Sequence, residues 1–405
     1  MMELKSKISR FLFFLLAILF IRLCIPQVSP KVYCIALAKT SSSAEEEGEE
    51  KLNQMIIDQL SALDLDALQA YVESLGNFTN KSVVERLLAY IKAGNVDYES
   101  FASQISTIFF AKVMEMIPSF ACIAAVTLLS GLISSIKSGV NGSTSSEMIF
   151  LITYAAALIP ILIVLTECFR ECLESISAMQ TQMQILFPLM LTLMSASGGT
   201  LSAAVCRPAV AFFATNIVSV IRTVVFPICA IILVFSMANC LTKELKISRF
   251  TAFFKSMNKW IIGVCVSAFS IFFTMQGMTA ANYDGIVRRT AKYAISNGIP
   301  IVGGFLSGGF DLAVAGSVLI KNALGNMGIF LMIAVIFEPL ILLVSIHLLL
   351  RLTSAVTQSF GDGRISDFLG ETADNLHHCV AAVLFTAFLY FLSIMLMVCA
   401  SEALF

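Results

Sequence analysis

Residues 327–350 read MGIFLMIAVIFEPLILLVSIHLLL, a run in which Glu338 is the only acidic residue and no Lys or Arg occurs. As a helix rising ~1.5 Å per residue, this run would measure about 36 Å, enough to cross a hydrocarbon core of ~30 Å. Lipid offers no hydrogen-bond partners to the backbone, so a single crossing segment must be helical. The run therefore predicts a helix that spans a membrane.

Other apolar runs of similar length extend this prediction to six spans. They cover residues 118–136, 148–166, 213–240, 259–281, 327–350 and 379–400, and amphipathic connectors are expected over 167–185, 241–258, 282–298 and 351–378. The composition agrees, because 58% of the 405 residues are hydrophobic and 13% are charged. Soluble globular proteins are about 45–50% apolar and about 25% charged. We therefore predict an all-α, polytopic helical membrane protein in a lipid bilayer.

The sequence contains no pattern typical of an enzyme or of a nucleic-acid-binding protein. The net charge is −1 and no basic stripe occurs, which argues against nucleic acid as a partner. No Walker, dinucleotide-binding or HExxH motif is present, and no paired Asp or Ser-Lys arrangement appears in the spans. We expect no catalytic residue and no cofactor.

The cysteines and histidines give no clear metal-binding pattern. Among eleven cysteines there is no CxxC pair, and Cys168 and Cys172 lie one helical turn apart with no third ligand near them in sequence. Cysteines in apolar runs usually behave as small hydrophobic residues. His347, His377 and His378 show no ligand spacing either, so we expect no metal site.

The N-terminal part of the chain differs from the rest in charge. Residues 1–38 combine a basic start with the apolar core Phe11–Ile21, which predicts a signal peptide or an uncleaved signal anchor. Residues 39–116 carry 13 acidic against 6 basic residues and lack a long apolar run. They predict an acidic, extracytoplasmic helical module, either a simple helical bundle or a docking surface for a partner.

Two later parts of the chain resemble each other in their order of motifs. Ser197-Gly198-Gly199 follows Pro188 and Ser307-Gly308-Gly309 follows Pro300, and a further proline lies 39 residues after the first in both cases, at Pro227 and Pro339. An Ile-Ser-x-Phe motif follows in each, at 247–250 and 365–368. We predict an internal duplication of about 110 residues with interrupted hairpins. The two repeats would cover residues 187–298 and 299–405. They would follow residues 117–186, which contain the first two spans and the connector between them.

Paired breaks of this kind have two physical explanations. In transporters, interrupted helices at matching positions line the substrate path, whereas small residues also allow helices to pack closely. Ionisable residues in spans are costly and are functional candidates. They could form ion pairs, such as Glu338 with Arg222 or Lys321, or a polar wall. The candidate conduit or hairpin residues are Gly198, Gly199, Gly308, Gly309, Asp311, Lys321, Glu338 and Arg222.

The charge distribution predicts an orientation. Residues 241–259 contain five basic residues and one acidic residue, which predicts a cytoplasmic loop, whereas the acidic 167–185 connector fits the outside. Passing between them requires an odd number of crossings. We therefore expect re-entrant hairpins rather than fully spanning ones, although Arg288, Arg289 and Lys292 in an expected outer connector argue the other way.

The layout resembles the stage III sporulation protein AE family of endospore-forming bacteria. The residues that carry the likeness are the acidic stretch 57–64, the turn 94–98, the Ser-Gly-Gly motifs and the Ile-Ser-x-Phe pair. The resemblance implies a mother-cell membrane subunit of the SpoIIIA–SpoIIQ complex, with the ATPase SpoIIIAA, the ring-forming SpoIIIAG and SpoIIQ among its partners. It carries over no catalytic residue. A non-enzymatic channel subunit and a stand-alone secondary transporter remain the two functional hypotheses.

Overall fold

The computed structural model describes most of the predicted membrane domain and part of the N-terminal module. Nearly all described residues are helical, and no strand occurs among them. The predicted signal segment 1–38 lies outside the described residues. These comprise residues 43–74, 82–85, 87–88, 110–111, 113–118, 120–126, 128–129, 143–212, 216–241, 247–271, 303–360 and 363–402.

We number the main helices in chain order. The helix Phe226–Leu241 is preceded without a break by the short helix Val218–Val220 and by a π-helical turn, Ile221–Val225. This turn comes just before Pro227, which has no N–H to donate to the helix. The helices are α1 (Ser43–Ala62), α2 (Asp66–Ser74), α3 (Ser143–Ala196), α4 (Thr200–Phe212), α5 (Phe226–Leu241), α6 (residues 248–271), α7 (Gly303–Phe360), α8 (Gly363–Asn375) and α9 (His377–Glu402).

Four helical segments are long and apolar enough to cross a membrane. They are Leu151–Ala196, Val218–Cys240, Asp311–Ser359 and Gly363–Cys399. These segments contain most of the residues of four predicted spans and confirm the helical membrane class. The predicted span 118–136 overlaps a shorter apolar helix, Val113–Val126. The predicted span 259–281 is described only to residue 271, as part of α6.

The connector expected at 167–185 is not a separate element, because α3 continues through it as helix. α3 is a single helix of 54 residues that includes Pro160 and Pro188. The charges of the expected connector fit a helix surface, since Arg170 lies 2.7 Å from Glu167 and 3.9 Å from Glu174 at i,i+3 and i,i+4 spacing. At ~1.5 Å per residue, the 46-residue candidate span within α3 measures about 69 Å, more than twice a hydrocarbon core.

The long helices pack antiparallel to one another. Ser175 Oγ of α3 donates to Val335 O of α7 at 3.0 Å, and Phe169 of α3 packs edge-on against Phe226 of α5 with ring centroids 5.6 Å apart. α8 and α9 then return along α7, as the hydrogen bond of 2.9 Å from Ser354 Oγ to Ser366 O shows near the α7–α8 turn.

Both Ile-Ser-x-Phe motifs lie where a helix begins to fold back on the preceding span. The first motif leads into α6, which packs on α5 through Phe254 and Phe235 with ring centroids 5.6 Å apart. The second leads into α8, which packs on α7. The repeat itself stays a prediction.

The N-terminal helices pack directly on the membrane helices. Ile56 and Leu60 of α1 belong to the same buried hydrophobic cluster as the long helices. Gln59 Nε2 donates to Ala313 O at 3.0 Å, and Gly316 of α7 allows this approach, since a Cβ there would lie 3.1 Å from Gln59 Oε1. In the described part of the chain, α1 and α7 therefore share one core.

Candidate polar sites in the helical bundle

The first Ser-Gly-Gly motif ends α3 and turns the chain into α4. Gly198 has φ 93°, a left-handed conformation that favours glycine. Gly198 N donates to Ser195 O at 3.1 Å and Gly199 N to Met194 O at 3.0 Å, the pair of bonds that defines a Schellman motif. This break is therefore a helix cap with satisfied backbone groups.

The second Ser-Gly-Gly motif does not form a break. Residues 303–310, which include Gly308 and Gly309, are helical and belong to α7. The prediction of a second interrupted hairpin is wrong for this segment. Glycine permits a left-handed turn but does not impose one, so this segment can continue as helix.

We predict that alanine at the two matching glycines has opposite effects. Gly198→Ala forces a side chain into the left-handed region and should cost about 1–2 kcal/mol of stability. Gly308→Ala adds a better helix former and should be neutral or stabilising by up to ~1 kcal/mol. Thermal melting of the two purified variants in one detergent checks this. Equal melting temperatures would contradict the difference between the two motifs.

Lys321 is completely buried at the contact between α7 and α9. Its side chain is 0% exposed, and Nζ donates to Met397 O at 3.1 Å and to Val398 O at 2.8 Å. A cation near the C-terminal end of a helix interacts favourably with the helix dipole and its carbonyl groups. Lys321 thus ties the end of α9 to α7.

Arg222 is exposed in the π-helical turn before α5, and Glu338 is exposed on α7. Among the described residues, no ion pair joins them or joins Glu338 to Lys321, which is about 26 Å away along the same helix. Asp311 is half-buried and lies on α7 between its N-terminus and Lys321. The structure therefore does not bring the eight candidate residues into one site.

A polar cleft that the sequence did not predict lies between α6 and α8. Its volume is about 230 Å³, and two of the candidate spans contribute to its walls. One wall carries hydroxyl groups and an ammonium group, and the opposite wall carries two carboxylates. The lining residues are Asn239, Ser248, Thr251, Ala252, Lys255, Glu371, Asp374 and Asn375.

Two buried polar atoms at this cleft lack a hydrogen-bond partner within the described part of the chain. Thr251 and Asn375 are 7% and 2% exposed, and the atoms concerned are Thr251 Oγ1 and Asn375 Nδ2. Leaving a buried polar group unpaired costs about 1–3 kcal/mol, so such positions are suited to water or a polar ligand. By contrast, Glu371 Oε2 accepts a hydrogen bond of 2.7 Å from Ser236 Oγ of α5.

The carboxylate wall is held by further polar contacts. Arg351 of α7 pairs with Asp374, and the rings of His347 and His377 lie 4.8 Å apart beside it. His347 Nδ1 lies 2.9 Å from Ala373 O, and His377 Nδ1 lies 2.8 Å from Asp374 O. These contacts link α7 to the end of α8 and the start of α9.

A second polar contact joins the N-terminal helices to α3. Gln182 Nε2 donates to the Tyr71 hydroxyl at 3.0 Å, and that hydroxyl lies 3.5 Å from Ala178 O. Burial raises the pKa of Tyr71, while the bond from Gln182 lowers it. Gln182 Oε1 and Tyr390 Oη are buried without a hydrogen-bond partner in the described residues.

Four cysteines from three helices meet in the core. Cys172 lies beside Cys168 on α3, Cys379 of α9 lies beside Cys229 of α5, and all four are buried. Asn258 Nδ2 contacts Cys229 Sγ at 3.5 Å. No sequence pattern indicates that further thiols lie beside Cys168 and Cys172. Nevertheless, no His, Cys, Asp or Glu group among the described residues is arranged to hold a metal ion.

The comparisons with known proteins agree on one family. The family model described as Stage III sporulation protein AE matches residues 82–401. The chain is also 25% identical over 277 residues to a protein of Bacillus subtilis (strain 168) named Stage III sporulation protein AE, and the match covers 68% of this chain and 69% of that protein. No solved structure matches the chain.

Proposed function

Because the chain belongs to the stage III sporulation protein AE family, we propose that this sporulation membrane protein is a non-enzymatic, permease-like subunit of the SpoIIIA–SpoIIQ complex. In this role it lies in the mother-cell membrane around the forespore. It assembles there with the cytoplasmic ATPase SpoIIIAA, with SpoIIIAG and with SpoIIQ.

The polar cleft between α6 and α8 is the observation that carries the permease-like role. Charged residues at the level of a membrane span are tolerated where they pair with one another or face a water-filled cavity. Arg351 and Asp374 form a pair, while Lys255 and Glu371 face the cleft. The buried, unpaired Asn375 amide favours a wet cleft further. We therefore assign the cleft, rather than the Ser-Gly-Gly motifs, as the wall of the conduit.

The alternative of a stand-alone transporter loses its main support. That hypothesis required two interrupted hairpins at matching positions. Only the first Ser-Gly-Gly motif interrupts a helix in the described residues, and the second is part of α7.

Neutralising the cleft should impair sporulation without removing the protein. We expect Lys255→Gln combined with Glu371→Gln to lower the yield of heat-resistant spores by about tenfold or more, because the cleft would lose its facing charges. A glutamine at 371 keeps an acceptor for Ser236, so packing should be preserved. The measurement pairs spore counts with immunoblots of sporulating membranes.

Glu174→Gln is the matched control, since Glu174 is exposed on α3 and lies outside the cleft. Affinity purification of the tagged protein from sporulating membranes should recover SpoIIIAA, SpoIIIAG and SpoIIQ with wild type and with both variants. Normal spore counts for the double cleft variant would refute the conduit wall. Absence of all three partners from the wild-type purification would refute the assignment to the complex.

A further inference from the structure

The exposed side chains of α3 change in character along the helix. From residue 148 to 166 the exposed positions are mainly large and apolar, and they include Met148, Leu151, Ile152, Ile159, Leu162 and Ile163. From residue 176 to 196 the exposed positions are Thr181, Gln184, Pro188, Thr192 and Ala196. Only the first half therefore has the surface expected of a helix in contact with lipid.

Charged residues mark the end of the apolar half. Glu167, Arg170 and Glu174 are exposed on α3 at this level. Phe226 of α5 contacts Phe169 of α3. Arg222 lies one turn before Phe226, so it adds a further exposed charge at about the same height as the charges of α3.

Two other helices add polar or interfacial residues at this height. Glu338 follows Val335, whose carbonyl accepts the bond from Ser175. Trp260, the only tryptophan of the chain, is 70% exposed on α6, half a turn after Asn258. Asn258 contacts Cys229 in the layer of Cys168 and Cys172. Tryptophan is enriched at membrane–water interfaces, which supports a membrane boundary here.

The opposite boundary lies at the turns that join α5 to α6 and α7 to α8. The first of these turns belongs to the basic segment 241–259 that is predicted to be cytoplasmic, and Arg364 lies in the first turn of α8 after the second. The distance along α3 from Met148 to Thr166 is about 27 Å, close to a hydrocarbon thickness of ~30 Å. Exposed Val344, Leu348 and Leu352 of α7 fall in the same band.

On the other half of the bundle, the N-terminal helices pack on α3 and α7. Gln59 contacts Ala313, and Tyr71 contacts Gln182, so α1 and α2 pack on α7 and α3 beyond the charged level. Exposed apolar side chains also occur on this half, at Leu384 and Phe388 of α9 and at Val264, Val266 and Ile271 of α6. The acidic helices and the basic turns thus lie at opposite ends of the bundle, as one orientation across a membrane requires.

We infer that hydrocarbon covers only the half of the bundle between residues 148 and 166 of α3, and that the other half stands outside it. The turn at Gly198 then lies about 45 Å beyond Glu167 along α3, in the extracytoplasmic space with α1 and α2. The first hairpin is an extramembrane element in this arrangement rather than a re-entrant one. This inference does not depend on the proposed conduit.

The experiment compares two variants, each with a single tryptophan at a different exposed position of α3. In a Trp260→Phe background, Ile163→Trp and Thr192→Trp are compared in the full-length protein in liposomes. Phospholipid brominated on its acyl chains should remove most of the fluorescence at position 163 and little at 192. Aqueous iodide should do the reverse. Wild-type Trp260 should be quenched by lipid brominated near the headgroup more than by lipid brominated near the chain end.

Ile159→Trp is a second lipid-facing variant if the first does not fold, and Gln184→Trp serves in the same way for the outer half. Acyl-chain quenching at 192 as strong as at 163 would overturn the inference and place both halves in hydrocarbon. Quenching at 192 but not at 163 would overturn it by reversing the position of the bilayer. Iodide quenching confined to 192 would support it.

Discussion

Leucine in place of Gly328 should greatly reduce the amount of folded protein. α9 approaches α7 and α3 so closely here that a Cβ on Gly328 would lie 2.9 Å from Ile394 Cδ1 and 3.0 Å from Leu186 Cδ1. At Gly325 the nearest atom, Val398 Cγ2, would be only 2.6 Å away. Overpacking a well-packed core costs about 1–3 kcal/mol, and a leucine exceeds the space at Gly328 by several atoms.

The expected result for Gly328→Leu is a lower melting temperature in detergent and weaker accumulation in membranes. Gly263→Leu is the control, since nothing lies within 4 Å of a Cβ at this α6 position. Small residues are a common means of close helix packing in membranes, and Gly325 and Gly328 fit that role. Equal melting temperatures for Gly328→Leu and Gly263→Leu would show that the packing described here is wrong.

Removal of the Lys321 side chain should also destabilise the protein strongly. Lys321→Ala leaves a cavity in a fully buried position, a change that costs ~2–5 kcal/mol for other long side chains, and it removes two charge-assisted hydrogen bonds to α9. Lys321→Met restores most of the volume but not the hydrogen bonds. We expect melting temperatures in the order wild type, Lys321→Met, Lys321→Ala.

Lys259→Ala provides the control for the loss of a lysine, because Lys259 is exposed on α6. Measurements of stability and of function together distinguish two roles for Lys321, an anchor for α9 and a polar wall. A Lys321→Met protein that melts like wild type but fails in sporulation would indicate a polar wall rather than an anchor for α9.

The helical membrane class could be predicted from the sequence because hydropathy is a local property. A run such as 327–350 must form a helix in a membrane, since an isolated backbone in lipid must satisfy its hydrogen bonds within the segment. The family resemblance also came from short motifs along the chain, and the match over residues 82–401 confirms it. The exact ends of the helices were harder to predict from the sequence, because the charges at 167–174 fit a connector and a helix surface equally well.

The two Ser-Gly-Gly motifs show where local sequence stops being informative. Gly198 has a positive φ at the end of α3, whereas Gly308 lies inside α7, although both follow a proline at a similar distance. Glycine allows either conformation at low cost, so contacts of the surrounding helix decide between them.

The polar cleft, the cysteine cluster and the contact of α1 with α7 depended on tertiary structure alone. Ser236 and Glu371 are 135 residues apart in sequence, and Gln59 and Ala313 are 254 apart. No hydropathy pattern or periodicity relates positions at such separations. The sequence determined that the helices are apolar and long enough to cross a membrane. The packing of those helices decided which polar groups meet, because side chains on different helices become neighbours only when their faces are matched in space.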